Sequence, residues 1–193
     1  MLSLLVIAVI AFCVTNIDDL VVLTAFCGHE RYRLREILMG QYLGFGLLVI
    51  VSLIGAIGAT RYFTEYVRWL GLFPLAVGIV WLLQNGIRSD RNELNHPLGI
   101  ASGPRSRAGL VASIGITDGA DNIAVYVPLF TILPSHEVAT VVGIFLIAAG
   151  MWVLFARWLA GRPFLVDRLN TYGDLVVPIV LVGLGVIILA DVL

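Results

Sequence analysis

The sequence contains no lysine, so all twelve of its basic residues are arginine, and charged residues make up only 13% of the chain. The formal net charge of −1 and the lack of a basic tail or stripe argue against a nucleic-acid-binding protein. The three histidines, His29, His96 and His136, are scattered, so a histidine metal site is not expected. Cys13 and Cys27 lie on one predicted helix, about 21 Å apart, which is too far for a disulfide between them.

The sequence is instead rich in apolar residues. They make up 60% of the 193 residues, and the mean hydropathy is +0.99. A helix crosses the roughly 30 Å apolar core of a bilayer with about 20 residues, and its backbone groups must be satisfied internally. The first apolar run has no basic leader and no small-residue cleavage site, so we interpret it as a retained helix. We therefore predict an all-α integral membrane protein with six transmembrane helices. They lie near residues 2–27, 37–60, 66–85, 108–133, 136–157 and 173–192.

The third and fourth predicted helices are joined by residues 86–107, a segment rich in glycine, proline, serine and charge. This linker separates a first three-helix repeat, residues 1–85, from a second, residues 108–193. Ten of the twelve arginines lie in the linker or in the loops after the first and fifth helices, which predicts a cytoplasmic linker and both termini outside. Because each half has an odd number of helices, the two repeats are expected to be inverted, as in many secondary transporters.

The first predicted helix of each half carries a similar polar motif, TNIDD at residues 15–19 and TDGADN at residues 117–122. A charged side chain at the bilayer centre costs about 2.5–3.5 kcal/mol on insertion scales, and such residues usually mark functional sites. Each motif has polar residues three positions apart, which share a helix face. An inverted two-fold axis would bring the two faces together near the middle of the membrane. The six candidate ligands are Asn16, Asp18, Asp19, Asp118, Asp121 and Asn122.

The oxygen atoms of these carboxylates and amides are hard ligands that suit divalent cations. No arginine lies in the interior of a predicted helix, since Arg68 and Arg157 are at helix ends. Closely spaced carboxylates cannot all ionise unless a cation is present. A site that alternates between a divalent metal and protons is what a proton-coupled metal transporter requires. The chain also lacks a Walker-type phosphate-binding loop, so we expect the proton gradient to supply the energy. The metal is then the cargo, and no cofactor is expected.

Three further residues could add to the site, and each has a structural alternative. Cys13 lies one turn before Asn16, and its thiolate would favour a soft metal, although a membrane cysteine more often packs as a small apolar side chain. Thr15 and Thr117 could also be ligands, but threonine in a helix commonly bonds to the backbone. Asp18 could instead form a hydrogen bond to Thr15 or to a neighbouring helix.

The two motifs resemble the signatures of the cadmium-resistance (CadD-type) transporters, a branch of the lysine-exporter superfamily. The similar segments are TNIDDLVVLTAF, DGADNIAVYVPLF and VPIVLVGLGVIIL, and the resemblance extends over the whole chain. It implies a bacterial inner-membrane exporter of cadmium, and the six candidate ligands match the polar motif residues of that family by position. The cadmium assignment follows from this resemblance, because oxygen ligands do not explain a preference for a soft ion.

Alternative functions follow from the same residues. Alternative substrates within the same superfamily are manganese, calcium, zinc and an amino acid. An amino acid is less favoured, because it needs a cationic partner for its carboxylate. An intramembrane aspartyl protease is disfavoured because TDGAD lacks the Gly-x-Gly-Asp pattern of that class, so no enzymatic activity is expected. A non-transporting subunit or a metal sensor stays open. Lipid contacts are expected, and an oligomer is compatible with the glycine-containing helices.

Overall fold

The computed structural model describes residues 2–62, 69–85 and 103–190, and a few helical positions by their backbone alone. Those backbone-only positions are 2–4, 81, 84–85, 118, 120, 163 and 166–176. The described residues form helices and short loops without any strand, which confirms the prediction of an all-α chain. The helices are α1 (Leu2–Thr15), α2 (Ile17–Gly28), α3 (Leu34–Tyr62), α4 (Leu72–Asn85), α5 (Pro104–Asp118), α6 (Ala120–Ile132), α7 (Ser135–Leu159) and α8 (Pro163–Leu189).

Two of these helices are long and apolar enough to cross a bilayer alone, α3 with 29 residues and α7 with 25. The pair α1 and α2 has the length of a third span, with a bend of 58° between Leu5–Thr15 and Ile17–Gly28. Shorter apolar helices run over Trp69–Val80, Asp121–Ile132 and Val177–Leu189. Length and composition thus give two or three spans in the described part of the chain, and the number six stays a prediction.

The outer faces of α3 and α7 are apolar and uncovered. Ile54 on α3 and Ile147 on α7 have exposed fractions of 65% and 66%, and many of their apolar neighbours are also exposed. Contiguous exposed apolar surface is rare in soluble monomers, whereas lipid tails cover it without a free-energy penalty. The surface of these helices therefore fits a membrane protein.

Each polar motif breaks its helix, which differs from the two continuous spans that the sequence predicts. The predicted span 2–27 divides at Asn16, whose φ is −118° and ψ is 18°. The predicted span 108–133 divides at Gly119, whose φ is −83° and ψ is 17°. A regular α-helix has ψ near about −42°, so the backbone leaves the helical conformation at both positions. The two motifs thus lie where short helices meet, not within continuous helices.

Other bounds also differ from the predicted ones. Because of the first break, Cys13 and Cys27 lie on separate helices, α1 and α2, and not on one as predicted. The last helix begins earlier than predicted, at Pro163, since proline suits the first turn of a helix. The helix α5 begins at Pro104, so the last four residues of the predicted linker are helical. Most of that linker, residues 86–102, lies outside the described residues.

Two clusters of buried apolar side chains join the helices. The first includes five buried aromatic side chains, from α1, α3, α6 and α7. The ring centroids of Phe12 and Phe45 are 5.4 Å apart, and those of Tyr126 and Phe145 are 4.6 Å apart. Such aromatic pairs contribute about 0.5–1.5 kcal/mol each beyond the burial of their area. The second cluster, around Phe26, joins α2, α3, α5 and α7, so both clusters connect helices that are distant in sequence.

An ion pair adds a polar contact between α3 and α5. Arg107 Nη1 lies 3.5 Å from Glu36 Oε2, and the two side chains have exposed fractions of 19% and 8%. The same guanidinium donates to the carbonyl oxygen of Arg31. Glu36 Oε2 also accepts a hydrogen bond from the backbone N–H of Arg33 at 3.0 Å, as a glutamate does in a helix-capping box. One buried carboxylate thus caps α3 and ties it to α5.

The closest helix contacts join the N-terminal four helices to the C-terminal four. The helix α3 packs along α5 and α6, α7 packs along α1 and α2, and α4 packs along α8. Glycines permit the approach of α3 to α5: a Cβ atom at Gly40 would lie 2.5 Å from Val111 Cβ, and one at Gly44 would lie 2.9 Å from the Ala112 carbonyl oxygen. Both distances are shorter than van der Waals contact, so side chains at these positions would separate the helices.

Replacing Gly44 by alanine is therefore expected to destabilise the protein by about 1–3 kcal/mol, the usual cost of overpacking a close contact. The matched control is Gly46→Ala on the same helix, where an added Cβ would meet nothing within 4 Å. Thermal unfolding of the two purified variants in the same detergent measures the difference. Equal unfolding midpoints for both variants would contradict the packing of α3 on α5.

Candidate functional site

The two helix breaks create two helix N-termini, and each carries acidic residues in its first turn. At the start of α2, Asp18 Oδ1 accepts a hydrogen bond from the backbone N–H of Asp19 at 3.0 Å. At the start of α6, Asp121 Oδ1 accepts one from the backbone N–H of Asn122 at 2.9 Å. Unpaired N–H groups give a helix N-terminus a partial positive charge, which favours a carboxylate there. Each break therefore supports its acidic residues by the local backbone.

The two motifs meet through their asparagines. Asn16 Nδ2 lies 3.2 Å from Asn122 Oδ1, and both residues are almost fully buried. Asp19, with an exposed fraction of 5%, and Asp121, which is half-buried, both lie within electrostatic range of the Tyr126 hydroxyl. Polar groups that are about a hundred residues apart in sequence thus converge on one buried region.

Tyr126 is a component of the site that sequence reasoning did not select. Its hydroxyl oxygen is 2.8 Å from Asn16 Nδ2 and 2.9 Å from Thr15 Oγ1, and the side chain is fully buried. A signal was present, because Tyr126 follows Asn122 by four residues and shares its face of α6. In a sequence this apolar, however, a single tyrosine four residues after a motif is equally compatible with an aromatic core residue.

Trp152 on α7 completes the hydrogen bonding at the first break. Its indole Nε1–H donates to the Asn16 carbonyl oxygen at 2.6 Å. Since Trp152 is 136 residues from Asn16, no local sequence pattern indicates this contact. The bond joins α7 to the junction of α1 and α2, at a carbonyl that also accepts from the Leu20 backbone N–H at 3.1 Å.

The Asn16 side chain presents one atom without a partner. Its Oδ1 is buried and has no hydrogen-bond partner among the described residues. The assignment of the amide orientation is constrained because Asn16 Nδ2 lies 2.8 Å from the Phe12 carbonyl oxygen, which can only accept. A buried acceptor without a donor costs about 1–3 kcal/mol, so it calls for an explanation such as a bound ion.

The other candidate residues occupy different environments. Asp118 is the last residue of α5, and its side chain lies outside the described residues. Thr15 Oγ1 donates to the Ala11 carbonyl at 2.9 Å and Thr117 Oγ1 donates to the Ser113 carbonyl at 2.8 Å, which is the backbone-bonded alternative for both. Cys13 is half-buried and packs against the first apolar cluster, in agreement with its alternative as a small apolar side chain. Within the described residues, no three histidine, cysteine, aspartate or glutamate side chains form a ready group of metal ligands.

A cavity of about 450 Å³ lies elsewhere, between the C-terminal ends of α3 and α6 and the start of α7. Phe130 lines it together with Thr60, Arg61, Thr131 and other residues, and none of the candidate ligands lines it. An arginine at the wall of a cavity opposes cation binding there. The hydrogen-bonded motifs, and not this cavity, therefore remain the candidate site.

A family model described as a cadmium resistance transporter matches residues 12–192. The match includes both polar motifs and leaves out only the first eleven residues and the last one. No curated protein and no solved structure matches the chain.

Proposed function

Because the chain belongs to the cadmium resistance transporter family, we propose that it exports divalent metal, with cadmium as the main substrate, from the cytoplasm across the bacterial inner membrane. The main support for a particular metal site is the buried Asn16 Oδ1, which has no hydrogen-bond partner among the described residues. A metal ion bound there would supply the missing partner. The transport site then lies where the two helix breaks meet.

Asn16, Asp19 and Asp121 are the central ligands in this proposal. Asn16 offers a neutral oxygen, and the two carboxylates supply charge from α2 and α6, one from each motif. Discontinuous helices at membrane depth are a recurrent feature of transporter binding sites, since they bring backbone and side-chain groups to the same ion. Asp19 is buried, and a metal ion bound beside it would lower the free-energy cost of keeping a carboxylate ionised there.

The remaining candidates have supporting roles or complete the shell. Asp18 and Asp121 each accept a hydrogen bond from the following backbone N–H, which holds the carboxylate at the start of its helix. Asn122 directs its oxygen to the Asn16 amide and so links the two halves of the site. Asp118 remains a proposed ligand on the basis of its position beside the second break. The proposed set therefore stays Asn16, Asp18, Asp19, Asp118, Asp121 and Asn122.

Proton coupling follows from the chemistry of these carboxylates. Metal binds the ionised form and release permits reprotonation, so metal and protons compete for the site. An exporter that exchanges the two uses the proton gradient to expel metal. The proposal predicts that acidification weakens metal binding at equilibrium.

Alternating access requires two arrangements of the helices, and we propose that α1–α4 and α5–α8 are inverted repeats with both chain termini outside. The helix contacts support this. If α1–α4 are matched in order with α5–α8, the contacts of α3 with α5 and α6 correspond to the contacts of α7 with α1 and α2. The contact of α4 with α8 then corresponds to itself. The breaks at Asn16 and Gly119 also correspond within about one residue when the motifs are aligned. Related halves of this kind can rock about a site at their interface.

The first test is metal accumulation in metal-sensitive bacteria that express the intact chain or Asp121→Asn at matched protein levels. Cells are loaded with cadmium, zinc or manganese in turn, and cell-associated metal is measured. We expect the intact chain to lower cadmium and the variant to fail, because the substitution removes a ligand charge from the site. If zinc or manganese falls instead, the site is supported and the substrate assignment is wrong. If no metal responds, or both proteins act alike, the proposed function is wrong.

A further inference from the structure

The hydroxyl protons around Tyr126 can be assigned by counting donors and acceptors. Thr15 has one hydroxyl proton, and its Oγ1 is 2.9 Å from the Ala11 carbonyl, which can only accept. With that proton used, the 2.9 Å bond between Thr15 and Tyr126 has Tyr126 as its donor. The Tyr126 oxygen is then left as an acceptor, and Asn16 Nδ2 at 2.8 Å is its donor. A single ordered chain of bonds runs from Asn16 through Tyr126 and Thr15 to Ala11.

This chain fixes the direction of the Asn16 carboxamide. The amide nitrogen lies closest to two acceptors, the Phe12 carbonyl and the Tyr126 hydroxyl, each 2.8 Å from Nδ2. Thr15 Oγ1 and Asn122 Oδ1 are farther from Nδ2, at 3.0 and 3.2 Å. With the nitrogen held on this side, the oxygen is directed away from it, and this is the buried oxygen that has no partner among the described residues.

We propose that Tyr126 is a positioning residue for metal binding: its hydroxyl holds the Asn16 carboxamide so that the amide oxygen, and not the nitrogen, is presented to the ion. This inference rests on the proposed function, since it assigns a role within the same metal site. A carboxamide ends in an oxygen and an NH2 group of similar size, and only the oxygen has lone pairs that can bind a metal ion. Partners behind a metal ligand typically contribute about 10–100-fold to metal affinity.

The aromatic ring of Tyr126 has a separate role that a phenylalanine preserves. Its centroid lies 4.6 Å from that of Phe145 and 6.2 Å from that of Phe45, within the first apolar cluster. Tyr126→Phe therefore removes the hydroxyl and keeps the packing. The matched control is Tyr42→Phe, because the Tyr42 hydroxyl also donates to a helix carbonyl, that of Leu146 at 3.1 Å, but shares no bond with Asn16.

The experiment measures metal binding by titration calorimetry and concentration-dependent transport in liposomes, with cadmium, zinc and manganese used in turn. For the metal that binds wild type best, Tyr126→Phe is expected to raise both Kd and KM about 10–100-fold, while the maximal rate stays within about twofold, as for lost binding energy. Tyr42→Phe should match wild type. Thr15→Val, which removes the acceptor of the Tyr126 proton, should shift Kd in the same direction, and the double variant should be less than additive.

Two results would contradict the role of Tyr126 without contradicting the proposed function: an unchanged Kd in Tyr126→Phe, or a lower maximal rate with an unchanged KM. In both cases an Asp19→Asn variant measured in parallel still loses metal binding, so the proposed site is retained. If wild type itself binds none of the three metals, the proposed function fails and the inference fails with it. If Tyr126→Phe does not yield folded protein, the Thr15→Val titration decides, because an unchanged Kd there contradicts the ordered chain of bonds.

Discussion

Replacing Asp19 by asparagine is expected to reduce metal transport in reconstituted vesicles by at least about 100-fold, because losing one member of a buried charge pair costs about 3–5 kcal/mol. The substitution keeps the size of the side chain and one oxygen but removes the negative charge. Asp19 has an exposed fraction of only 5%, so water cannot replace the proposed interaction with the ion. Initial rates of cadmium uptake into vesicles with a fixed proton gradient provide the measurement.

The control for this prediction is Glu30→Gln, the same chemical change at an exposed loop carboxylate. It should leave the transport rate unchanged. Asp18→Asn gives a second comparison, because the amide oxygen of asparagine can still accept the hydrogen bond from the Asp19 backbone N–H. A transport rate close to that of wild type in Asp19→Asn would contradict the assignment of this carboxylate as a ligand.

Replacing Glu36 by glutamine should destabilise the protein by about 2 kcal/mol, which lowers the unfolding midpoint of a chain of this size by about 4–8 °C. The reason is that Arg107, with an exposed fraction of 19%, would keep its charge without the opposite charge 3.5 Å away. We expect less than the full cost of breaking a buried pair, because solvent still reaches the guanidinium. Glutamine retains an oxygen that can accept from the Arg33 N–H, so the helix cap is largely preserved.

A double-mutant cycle separates the ion pair from other effects of the substitution. Arg107→Met removes the charge and keeps much of the apolar stem, and the variant with both changes leaves neither charge unpaired. The double variant should therefore unfold at a higher temperature than the sum of the two single changes predicts. Strictly additive shifts would mean that Glu36 and Arg107 do not stabilise each other, and that α3 is tied to α5 by apolar packing alone.

The sequence predicted the parts of the fold that depend on composition and local pattern. The all-helical chain and its membrane character follow from long apolar runs, since lipid requires backbone groups to be satisfied within each helix. The two motifs were identifiable because acids in such runs are costly. The family resemblance is confirmed by the match over residues 12–192. Helix bounds were predicted less well, and α8 begins ten residues before the predicted start of its span.

The helix breaks at Asn16 and Gly119 were not predicted from the local sequence. Glycine has a low helix propensity, which agrees with a break within TDGADN. Nothing in TNIDD indicates that the chain bends by 58° there. The bend is stabilised by the indole of Trp152, which donates to the Asn16 carbonyl from α7. A residue that is 136 positions away leaves no periodic signal at the break, so the continuous helix was the expected result.

The sequence alone determined that the chain is helical, apolar and equipped with two acidic motifs, because these properties depend on residue type and on spacing within a single turn. Only the tertiary structure decided which polar atoms of the motifs have hydrogen-bond partners within the chain. The Asn16 oxygen lacks a partner among the described residues, while the nitrogen is held by Phe12 and Tyr126. Hydrogen-bond geometry depends on distances of a few tenths of an ångström between residues far apart in the chain. Such distances are set by the packing of whole helices, which neither composition nor periodicity encodes.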